Sequence, residues 1–245
     1  MRNRLLHHAI YRILYPYFDR KFIFDSYSCR FNKGTHRAIN RFRDYVAVVS
    51  HNHTRSVWVL KCDIKKFFAS INHKILKNIL KKHIEDKNII WLFNKIIDSF
   101  HGKDNVGVGL PLGNLTSQLL VNIYMNEFDQ FLKRTLKIHY CVRYADDFVI
   151  LHESKECLEN LIPKISNYLE TELKLSLHPS KVFIKTFASG VDFLGWVHFP
   201  YRRVLRTSTK KRILKLLKRK ASPEILTSYS GLLSHGDAYE LFQSL

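Results

Sequence analysis

The sequence is poor in residues that mark several common protein classes. Its 245 residues include only 4 Cys, 9 Gly, 6 Pro and 2 Met. The cysteines lack both Cys-x-x-Cys spacing and a paired His-x(3–5)-His element, which argues against a zinc site and a disulfide framework and favours a reducing compartment. With few Gly and Pro and 46% hydrophobic residues, the chain is too apolar to be disordered, so we expect one compact unit with its own core.

Long hydrophobic runs are also missing. No stretch approaches the roughly 18 apolar residues that a membrane span needs. The N-terminus, Met1-Arg2-Asn3-Arg4-Leu5-Leu6-His7-His8-Ala9-Ile10, is basic but has neither a long apolar segment nor a small-residue cleavage site. We therefore expect neither secretion nor a membrane-spanning segment.

Acidic residues are the third shortage. Asp and Glu total 21 against 40 Lys and Arg, which gives a net charge of +19 and a pI of about 9.8. Part of the surface must be strongly positive, and nucleic acid is the favoured polyanionic partner. Composition alone leaves two alternatives, a basic ribosomal-type surface and adhesion to a membrane surface.

Hydrophobic periodicity predicts an alternation of helices and short strands. A strand is expected over Ser56–Ile64, with Asp63 at its end, followed by an amphipathic helix with a basic outer side around Ile75–Ile84. A loop is expected at 101–105. Further helices are predicted over Asn88–Phe100, Leu115–Leu136, Glu156–Leu173 (kinked at Pro163) and, as a basic tail, Thr207–Leu245; hairpins are predicted over Tyr140–Leu151, and over Val182–Phe187 with Val191–Phe199, turning at Ser189-Gly190.

The most informative stretch is Tyr144-Ala145-Asp146-Asp147, which places two adjacent carboxylates inside an apolar run. Buried carboxylates are costly unless a cation binds them, and a divalent metal ion is the cation that also performs chemistry. A split βαββαβ sheet would bring Asp63 beside them. This pattern predicts metal-dependent nucleotidyl transfer with two magnesium ions, for which manganese can substitute. The alternative for an Asp-Asp pair is an exposed turn.

Four ordered motifs resemble those of reverse transcriptases. They are Lys61-Cys62-Asp63-Ile64-Lys65-Lys66-Phe67-Phe68, Gly109-Leu110-Pro111-Leu112-Gly113-Asn114-Leu115-Thr116-Ser117-Gln118, Tyr144-Ala145-Asp146-Asp147 and Phe193-Leu194-Gly195-Trp196. The second motif and the earlier segment Phe24–Ala38 resemble the diversity-generating retroelement branch. That branch generally has more chain before His7 and a longer thumb, so we expect a truncated or compact relative.

The resemblance implies roles for residues around the predicted metals. Asp63, Asp146 and Asp147 would be the metal triad, with the Ile64 carbonyl as a further ligand. Lys181 would protonate the leaving pyrophosphate; an ordinary surface lysine is the alternative. Phe68, beside Phe67, would be the steric gate that favours dNTPs; an ordinary core aromatic is the alternative. Residues expected at the incoming nucleotide are Arg30, Lys33, Arg37, Phe67, Phe68, Leu112, Gly113 and Gln118. For the three cations among them, a solvated basic face is the alternative.

Leu112 replaces the Gln found in most reverse transcriptases. A branched apolar side chain cannot make the hydrogen bonds of an amide, and the resemblance implies error-prone copying, notably opposite adenine. The alternative is that Leu112 only packs its loop. The primer grip would be Phe193, Leu194, Gly195 and Trp196, although core packing is a rival role for Trp196. Residues expected to contact nucleic acid in the thumb are Lys210, Lys211, Arg212, Lys215, Lys218 and Arg219, with a solvated basic helix face as the alternative.

The resemblance implies an α+β right-hand polymerase fold with a ferredoxin-like palm and a short helical thumb. We expect fingers at 1–55 and 72–113, palm at 56–71 and 114–200, and thumb at 201–245. The implied activity is RNA-directed DNA synthesis in mutagenic retrohoming, in the cytoplasm of a bacterium and encoded there or by a phage. The implied partners are an RNA template, a DNA or RNA primer, the RNA–DNA hybrid, dNTPs and a small basic accessory protein.

Two rival functions remain open. A defence-type reverse transcriptase would make untemplated or protein-primed DNA. A catalytically idle RNA-binding relative would keep the basic surface without synthesis.

Overall fold

Helices and short strands alternate along the chain. The computed structural model of the protein describes residues 2–100, 106–218 and 236, so the predicted loop at 101–105 and most of the tail after 218 lie outside the described residues. The helices are α1 (Arg2–Asp19), α2 (Thr35–Val49), α3 (Phe67–Ser70), α4 (His73–His83), α5 (Lys87–Asp98), α6 (Leu115–Gln130), α7 (Lys155–Glu172) and α8 (Thr207–Lys218). The strands are β1 (Trp58–Asp63), β2 (Cys141–Tyr144), β3 (Asp147–His152), β4 (Phe183–Thr186), β5 (Val191–Phe193), β6 (Trp196–His198) and β7 (Arg203–Leu205).

Four strands form an antiparallel sheet in the order β2-β3-β1-β4. Helices α3 to α6 separate β1 from β2, and α7 separates β3 from β4. Strand β3 lies between β1 and β2, and β4 pairs with the other edge of β1. This is the ferredoxin-like βαββαβ arrangement expected from the sequence, and that prediction is confirmed.

The sheet is covered on both faces, and its strands contribute to two hydrophobic cores. Leu60 of β1 shares one core with Leu158 of α7. Val59 of β1 shares the other with Val149 of β3 and Phe42 of α2. Successive strand residues point to opposite faces, so a sheet buried on both sides needs nearly continuous apolar strands. Burial of the sheet on both faces therefore explains the apolar run around Asp146 and Asp147.

Local capping explains where several predicted helices begin. The Asn72 side chain accepts a hydrogen bond from the Ile75 N–H at 3.1 Å at the start of α4. Asp86 caps α5 by accepting from the N–H groups of Asn88 (2.7 Å) and Ile89 (3.1 Å). Side-chain oxygens at these positions satisfy N–H groups that have no partner within the helix.

One helix differs from its predicted bounds, and another contains an internal proline. The predicted helix Leu115–Leu136 is α-helical only to Gln130 and continues as one π-helical turn over Phe131–Thr135. Helix α7 runs through Pro163 as a single element. Within the described part of the chain, no helix has the length and apolar character that crossing a bilayer requires.

The predicted hairpin around Ser189-Gly190 is wrong. Strand β4 instead pairs with β1 in the large sheet, and β5 begins a separate antiparallel sheet in the order β5-β6-β7. Gly190 lies where the chain leaves the large sheet and enters the small one. Its φ is +86°, and a Cβ atom there would lie 2.7 Å from the Phe199 ring, so a side chain would not fit at this position. The β5–β6 turn is at Leu194-Gly195, because Phe193 pairs with Trp196. Strand patterning shows where strands occur but not which strands pair.

Candidate active site

Three carboxylates meet at one end of the large sheet. Asp63 ends β1 and lies directly opposite Asp147, the first residue of β3. Asp146 lies in the tight β2–β3 turn, where Ala145 has a φ of +56°. The turn is tied to the end of β1 by a 3.2 Å hydrogen bond from the Ile64 N–H to the Asp146 carbonyl. The expectation that a hairpin tip presents the aspartates beside Asp63 is confirmed at the level of the backbone.

Two lysines neutralise part of this negative charge. Lys181 Nζ contacts both carboxylate oxygens of Asp63, at 3.1 and 3.2 Å. Lys61 Nζ lies 3.3 Å from Asp147 Oδ2. Lys181 is delivered by the segment after α7, because the His178 N–H donates to the Asp63 carbonyl at 2.8 Å. The structure therefore places Lys181 beside Asp63, as the resemblance implies.

Burial perturbs the titration of the Asp pair. Desolvation raises the pKa of the Asp147 carboxyl to about 6; Lys61 acts in the opposite direction, and the charges of Asp63 and Asp146 add to the increase. Desolvation also raises the pKa of Asp146. The raised pKa values come first from burial, which removes the water that would solvate the ionised carboxylates, and only second from neighbouring negative charge. A bound cation would compensate for both effects.

The donor set fits a hard divalent cation. Asp147 Oδ1 is buried without a hydrogen-bond partner, and Asp63 and Asp146 supply further carboxylate oxygens at the same sheet end, the ligand type that magnesium prefers. Among the described residues, no group of three or more Asp, Glu, His or Cys side chains is arranged so that it could hold a metal ion without rearrangement. In this structure Lys181 contacts Asp63 and Lys61 contacts Asp147 Oδ2.

Arg143 supports the turn and was missed by sequence reasoning. Its guanidinium binds both oxygens of Asp129 in α6, at 2.7 and 2.6 Å, and donates to the Ala145 carbonyl at 3.0 Å and to Ser26 Oγ at 3.0 Å. The Asp25 and Tyr27 backbones also pair with Arg143 at 2.9 Å. Arg143 thus connects α6, the N-terminal segment and the β2–β3 turn that holds Asp146. An arginine inside an apolar strand was the signal that could have revealed it.

Exposure distinguishes the two adjacent phenylalanines after Asp63. Phe67 is 3% exposed and belongs to the core, whereas Phe68 is partly buried at the edge of that core. The Phe68 carbonyl accepts a 2.8 Å hydrogen bond from the Leu110 N–H, which places the loop before α6 beside it. Phe68 is therefore the aromatic with a surface available to a ligand, and the structure does not bring the Phe67 side chain to that surface.

The loop before α6 presents Leu112 to solvent. Its side chain is 77% exposed, so packing of the loop does not explain it. Gly113 has a φ of +92° with open space around a Cβ position. Gln118 is partly buried in the first turns of α6, and its N–H donates to the Asn114 carbonyl at 3.2 Å.

The three predicted N-terminal cations have different environments. Arg30 is occupied by an ion pair with Asp19 at 2.6 Å and by the carbonyls of Ile23 and Ser26, so it serves the local fold. Lys33 lies 3.4 Å from the centre of the Phe24 ring. Arg37 is exposed and donates to the Asn32 carbonyl. Lys33 and Arg37 both line an open cavity of about 340 Å³, so they, and not Arg30, are available to an anionic ligand.

The predicted grip and thumb residues divide into buried and exposed sets. Phe193 and Trp196 are buried, at 0% and 1% exposure, and the turn Leu194-Gly195 between them is partly exposed with both φ angles positive. Trp196 therefore packs in the core, and only the turn can touch a ligand directly. The exposed thumb cations on α8 are Lys210, Lys211, Arg212 and Lys215. Lys218 ends α8 and its side chain lies outside the described set, as does Arg219 entirely.

Comparison with known proteins decides the family. The family model for reverse transcriptase (RNA-dependent DNA polymerase) matches residues 1–198. The chain belongs to the reverse transcriptase family. It is 28% identical over 234 residues to Protein YkfC of Escherichia coli, covering 80% of this chain and 60% of that protein. It is 22% identical over 283 residues to the group II intron-encoded protein LtrA of Lactococcus lactis, covering 89% of this chain and 45% of LtrA.

Solved structures of telomerases share the fold. Telomerase from Candida tropicalis, in a complex with a TWJ fragment of telomeric RNA, matches with a TM-score of 0.62 at 14% identity, covering 86% of this chain and 40% of that one. The predicted right-hand polymerase fold is thereby confirmed. The chain spans less than two thirds of the length of both Protein YkfC and LtrA.

Proposed function

We propose that this reverse transcriptase adds dNMPs to a primer 3′-hydroxyl on an RNA template. The observation that carries the proposal is the register of the sheet, which sets Asp63 opposite Asp147 with Asp146 in the adjoining turn. Magnesium ions held by these carboxylates and the Ile64 carbonyl would lower the pKa of the attacking hydroxyl and support the leaving pyrophosphate.

The chain's own residues would orient the reactants. Lys181, now 3.1 Å from Asp63, would hold a proton for the departing pyrophosphate. Lys33 and Arg37 would bind the triphosphate, and Phe68 would exclude a ribose 2′-hydroxyl by contact with its ring. The exposed Leu194-Gly195 turn would contact the primer end.

The proposed division follows these roles. Fingers comprise 1–55 and 72–113, palm comprises 56–71 and 114–200, and thumb comprises 201–245. The proposed nucleic acid partners are template RNA, a DNA or RNA primer and their hybrid, for which α8 offers a basic surface. A small basic accessory protein and a bacterial cytoplasmic setting belong to the same proposal.

The finer proposal is a mutagenic enzyme of the diversity-generating retroelement type. It is supported by Leu112, whose exposed apolar side chain offers no amide to the base pair. Similarity to LtrA favours a second candidate, an enzyme of the group II intron type. The two are distinguished by the error spectrum, because only the first is expected to misincorporate mainly opposite adenine.

Primer extension on a defined RNA template, with magnesium and all four dNTPs, tests the general proposal. Wild type should make template-encoded DNA, and Asp146→Asn, which keeps the side-chain size, should reduce synthesis at least about 1,000-fold. Asp98→Asn is the matched control, since Asp98 is an exposed carboxylate on α5 that pairs with Lys77 on α4. Synthesis by Asp146→Asn at the wild-type rate would refute the assignment. DNA products made without a template would support the defence-type reverse transcriptase. RNA binding without any DNA synthesis would support the catalytically idle RNA-binding relative.

A further inference from the structure

Lys61 is a buried lysine to which the proposed reaction gives no role. It lies within β1, two residues before Asp63, and is 8% exposed. Its ammonium group lies 3.3 Å from Asp147 Oδ2. Burying an ammonium ion is costly unless a partner compensates it, so this position needs a reason beyond the formation of a strand.

The register explains why only a long side chain can make this contact. Asp147 lies opposite Asp63, whereas Lys61 lies opposite Val149. Lys61 and Asp147 are therefore diagonal neighbours on one face of the antiparallel pair, a separation that long side chains span and short ones do not. A shorter polar residue at 61 would leave the Asp147 carboxylate without this partner.

The two oxygens of Asp147 have different environments. Oδ2 faces the Lys61 ammonium group, and Oδ1 is buried with no partner. Lys181 behaves differently at Asp63: it contacts both oxygens and its own side chain is 54% exposed, so it can leave. Lys61 is enclosed, with its side chain only 10% exposed, and it contacts Oδ2 alone.

We propose that Lys61 is a positioning residue of the active site. Its ammonium group holds Oδ2 of Asp147, so that Oδ1 is the oxygen presented to a catalytic metal ion. The inference rests on the proposed polymerase function. The competing explanation is a purely structural ion pair inside the palm.

The two explanations differ in what they predict for metal binding. Lys61→Met keeps most of the aliphatic stem and removes a positive charge beside a metal ligand. Loss of that charge strengthens attraction between the site and a divalent cation, while loss of the contact lets the carboxylate rotate away from its productive position. Metal binding should therefore become tighter while catalysis becomes slower. If the ion pair were purely structural, Lys61→Met would instead lower Tm, and metal binding and rate would fall together in proportion to the loss of folded protein.

The experiment compares wild type with Lys61→Met and Lys61→Arg. Mn²⁺ binding to the protein without nucleotide is measured by electron paramagnetic resonance, primer extension gives kcat and the dNTP KM, and thermal unfolding gives Tm. For Lys61→Met we expect Mn²⁺ to bind at least about fivefold tighter and kcat to fall about 100-fold, with little change in KM. Lys61→Arg, which keeps the charge, should show wild-type Mn²⁺ affinity and at least about one tenth of the wild-type kcat.

Lys77→Met is the matched control. Lys77 forms a 2.6 Å ion pair with Asp98 on α5, away from the triad, and its loss should change neither Mn²⁺ affinity nor kcat. A folded Lys61→Met protein with wild-type Mn²⁺ affinity and rate overturns the inference, as does a parallel fall of both. If Lys61→Met does not fold, the inference stands or falls on Lys61→Arg: an inactive but folded Lys61→Arg contradicts it. Wild-type protein that makes no DNA would refute the proposed function itself, a result separate from these.

Discussion

At the scale of single residues, exposure separates neighbours that the sequence treats alike. Phe67 and Phe68 are adjacent and chemically identical, yet only Phe68 lies at the edge of the core. Arg30 and Arg37 lie in one basic segment, yet the Arg30 side chain is 6% exposed in an ion pair while Arg37 is exposed. Candidate ligand contacts therefore narrow to Phe68, Arg37 and Lys33.

Replacing Phe68 with Ala should relax sugar selection. If the ring excludes the 2′-hydroxyl, its removal should raise the ratio of rNTP to dNTP incorporation by about tenfold or more. The measurement is single-nucleotide extension with each substrate. Phe67→Leu is the control, since a core substitution should lower the free energy of unfolding by about 1 kcal/mol without altering that ratio. Unchanged selection in Phe68→Ala would place the gate elsewhere.

Replacing Leu112 with Gln should restore an amide near the template base pair. Because Leu112 is 77% exposed, the change should leave Tm nearly unaffected. Misincorporation opposite template adenine should fall by several fold, about 1 kcal/mol for a hydrogen bond gained, as measured by sequencing the products. Val106→Gln, at another exposed apolar side chain, supplies the control. An identical error spectrum in both variants contradicts a role for Leu112 in fidelity.

At the scale of elements, the β2–β3 turn that holds Asp146 depends on a buried ion pair. Arg143 of β2 and Asp129 of α6 have side-chain exposures of 2% and 1%, and Arg143 also holds the Ala145 carbonyl. The turn therefore owes its position to α6 as well as to its own strands. Removing one partner of such a pair leaves an uncompensated buried charge.

Asp129→Asn should thus be strongly destabilising. We expect the free energy of unfolding to fall by about 3–5 kcal/mol, measured by urea denaturation. Glu159→Gln breaks the exposed pair between Lys155 and Glu159, at 2.8 Å, and should cost no more than about 0.5 kcal/mol. Equal stability losses in the two variants would show that burial of the Arg143–Asp129 pair has no special importance.

The small β5–β6–β7 sheet contains a buried histidine that should make stability depend on pH. His198 in β6 is 0% exposed, and burial lowers its pKa to about 4 from the ordinary 6.5. Because the unfolded chain takes up this proton at higher pH than the folded chain, stability is full above about pH 6.5 and is lost as the pH falls towards 4. The loss attributable to His198 is about 3 kcal/mol.

Denaturation of wild type and His198→Gln at several pH values checks this expectation. The glutamine amide can donate to the Phe193 carbonyl, which His198 Nε2 contacts at 3.3 Å, but it does not titrate. The variant should lose less stability between pH 7 and pH 4 than wild type. Parallel curves would show that other groups account for the acid sensitivity.

At the scale of the whole molecule, positive charge predominates and part of it is exposed on one helix. The net charge is +19, and four cations of α8 are exposed while Ile213 of the same helix is buried at 1%. One face of α8 therefore packs and the other is available to a nucleic acid backbone. Such contacts release counterions, so affinity should fall steeply with salt.

The double variant Lys211→Gln/Lys215→Gln should weaken binding to an RNA–DNA hybrid. The slope of log K against log salt should decrease by about one for each lost phosphate contact, as measured by fluorescence anisotropy between 50 and 200 mM salt, the range in which such dependence is pronounced. Lys164→Gln, an exposed lysine on α7, is the control. An equal change of slope in the control would mean that binding depends only on the net charge of the protein and not on the cations of α8.

Most of the fold could be predicted because the strands and helices are strongly periodic. The predictions for β1, β2, β3 and α4 to α7 are confirmed to within a few residues, and the turn that holds Asp146 lies where apolar residues flank the carboxylates. The pairing of β4 could not be predicted, because the open edge of β1 accepts a strand distant in the sequence. The local pattern instead favoured a hairpin with β5.

The sequence by itself determined which side chains are present for the proposed site: three carboxylates in ordered motifs, in a chain with 21 acidic against 40 basic residues, and enough apolar strand to bury a sheet on both faces. Only the tertiary structure decided which neighbours are exposed, that Arg143 supports the turn, and that Lys61 reaches Asp147 across the strands. Those contacts join residues far apart in the chain, up to the 117 positions between Ser26 and Arg143. Periodicity records the face of an element on which a residue lies, whereas contacts depend on how the elements pack.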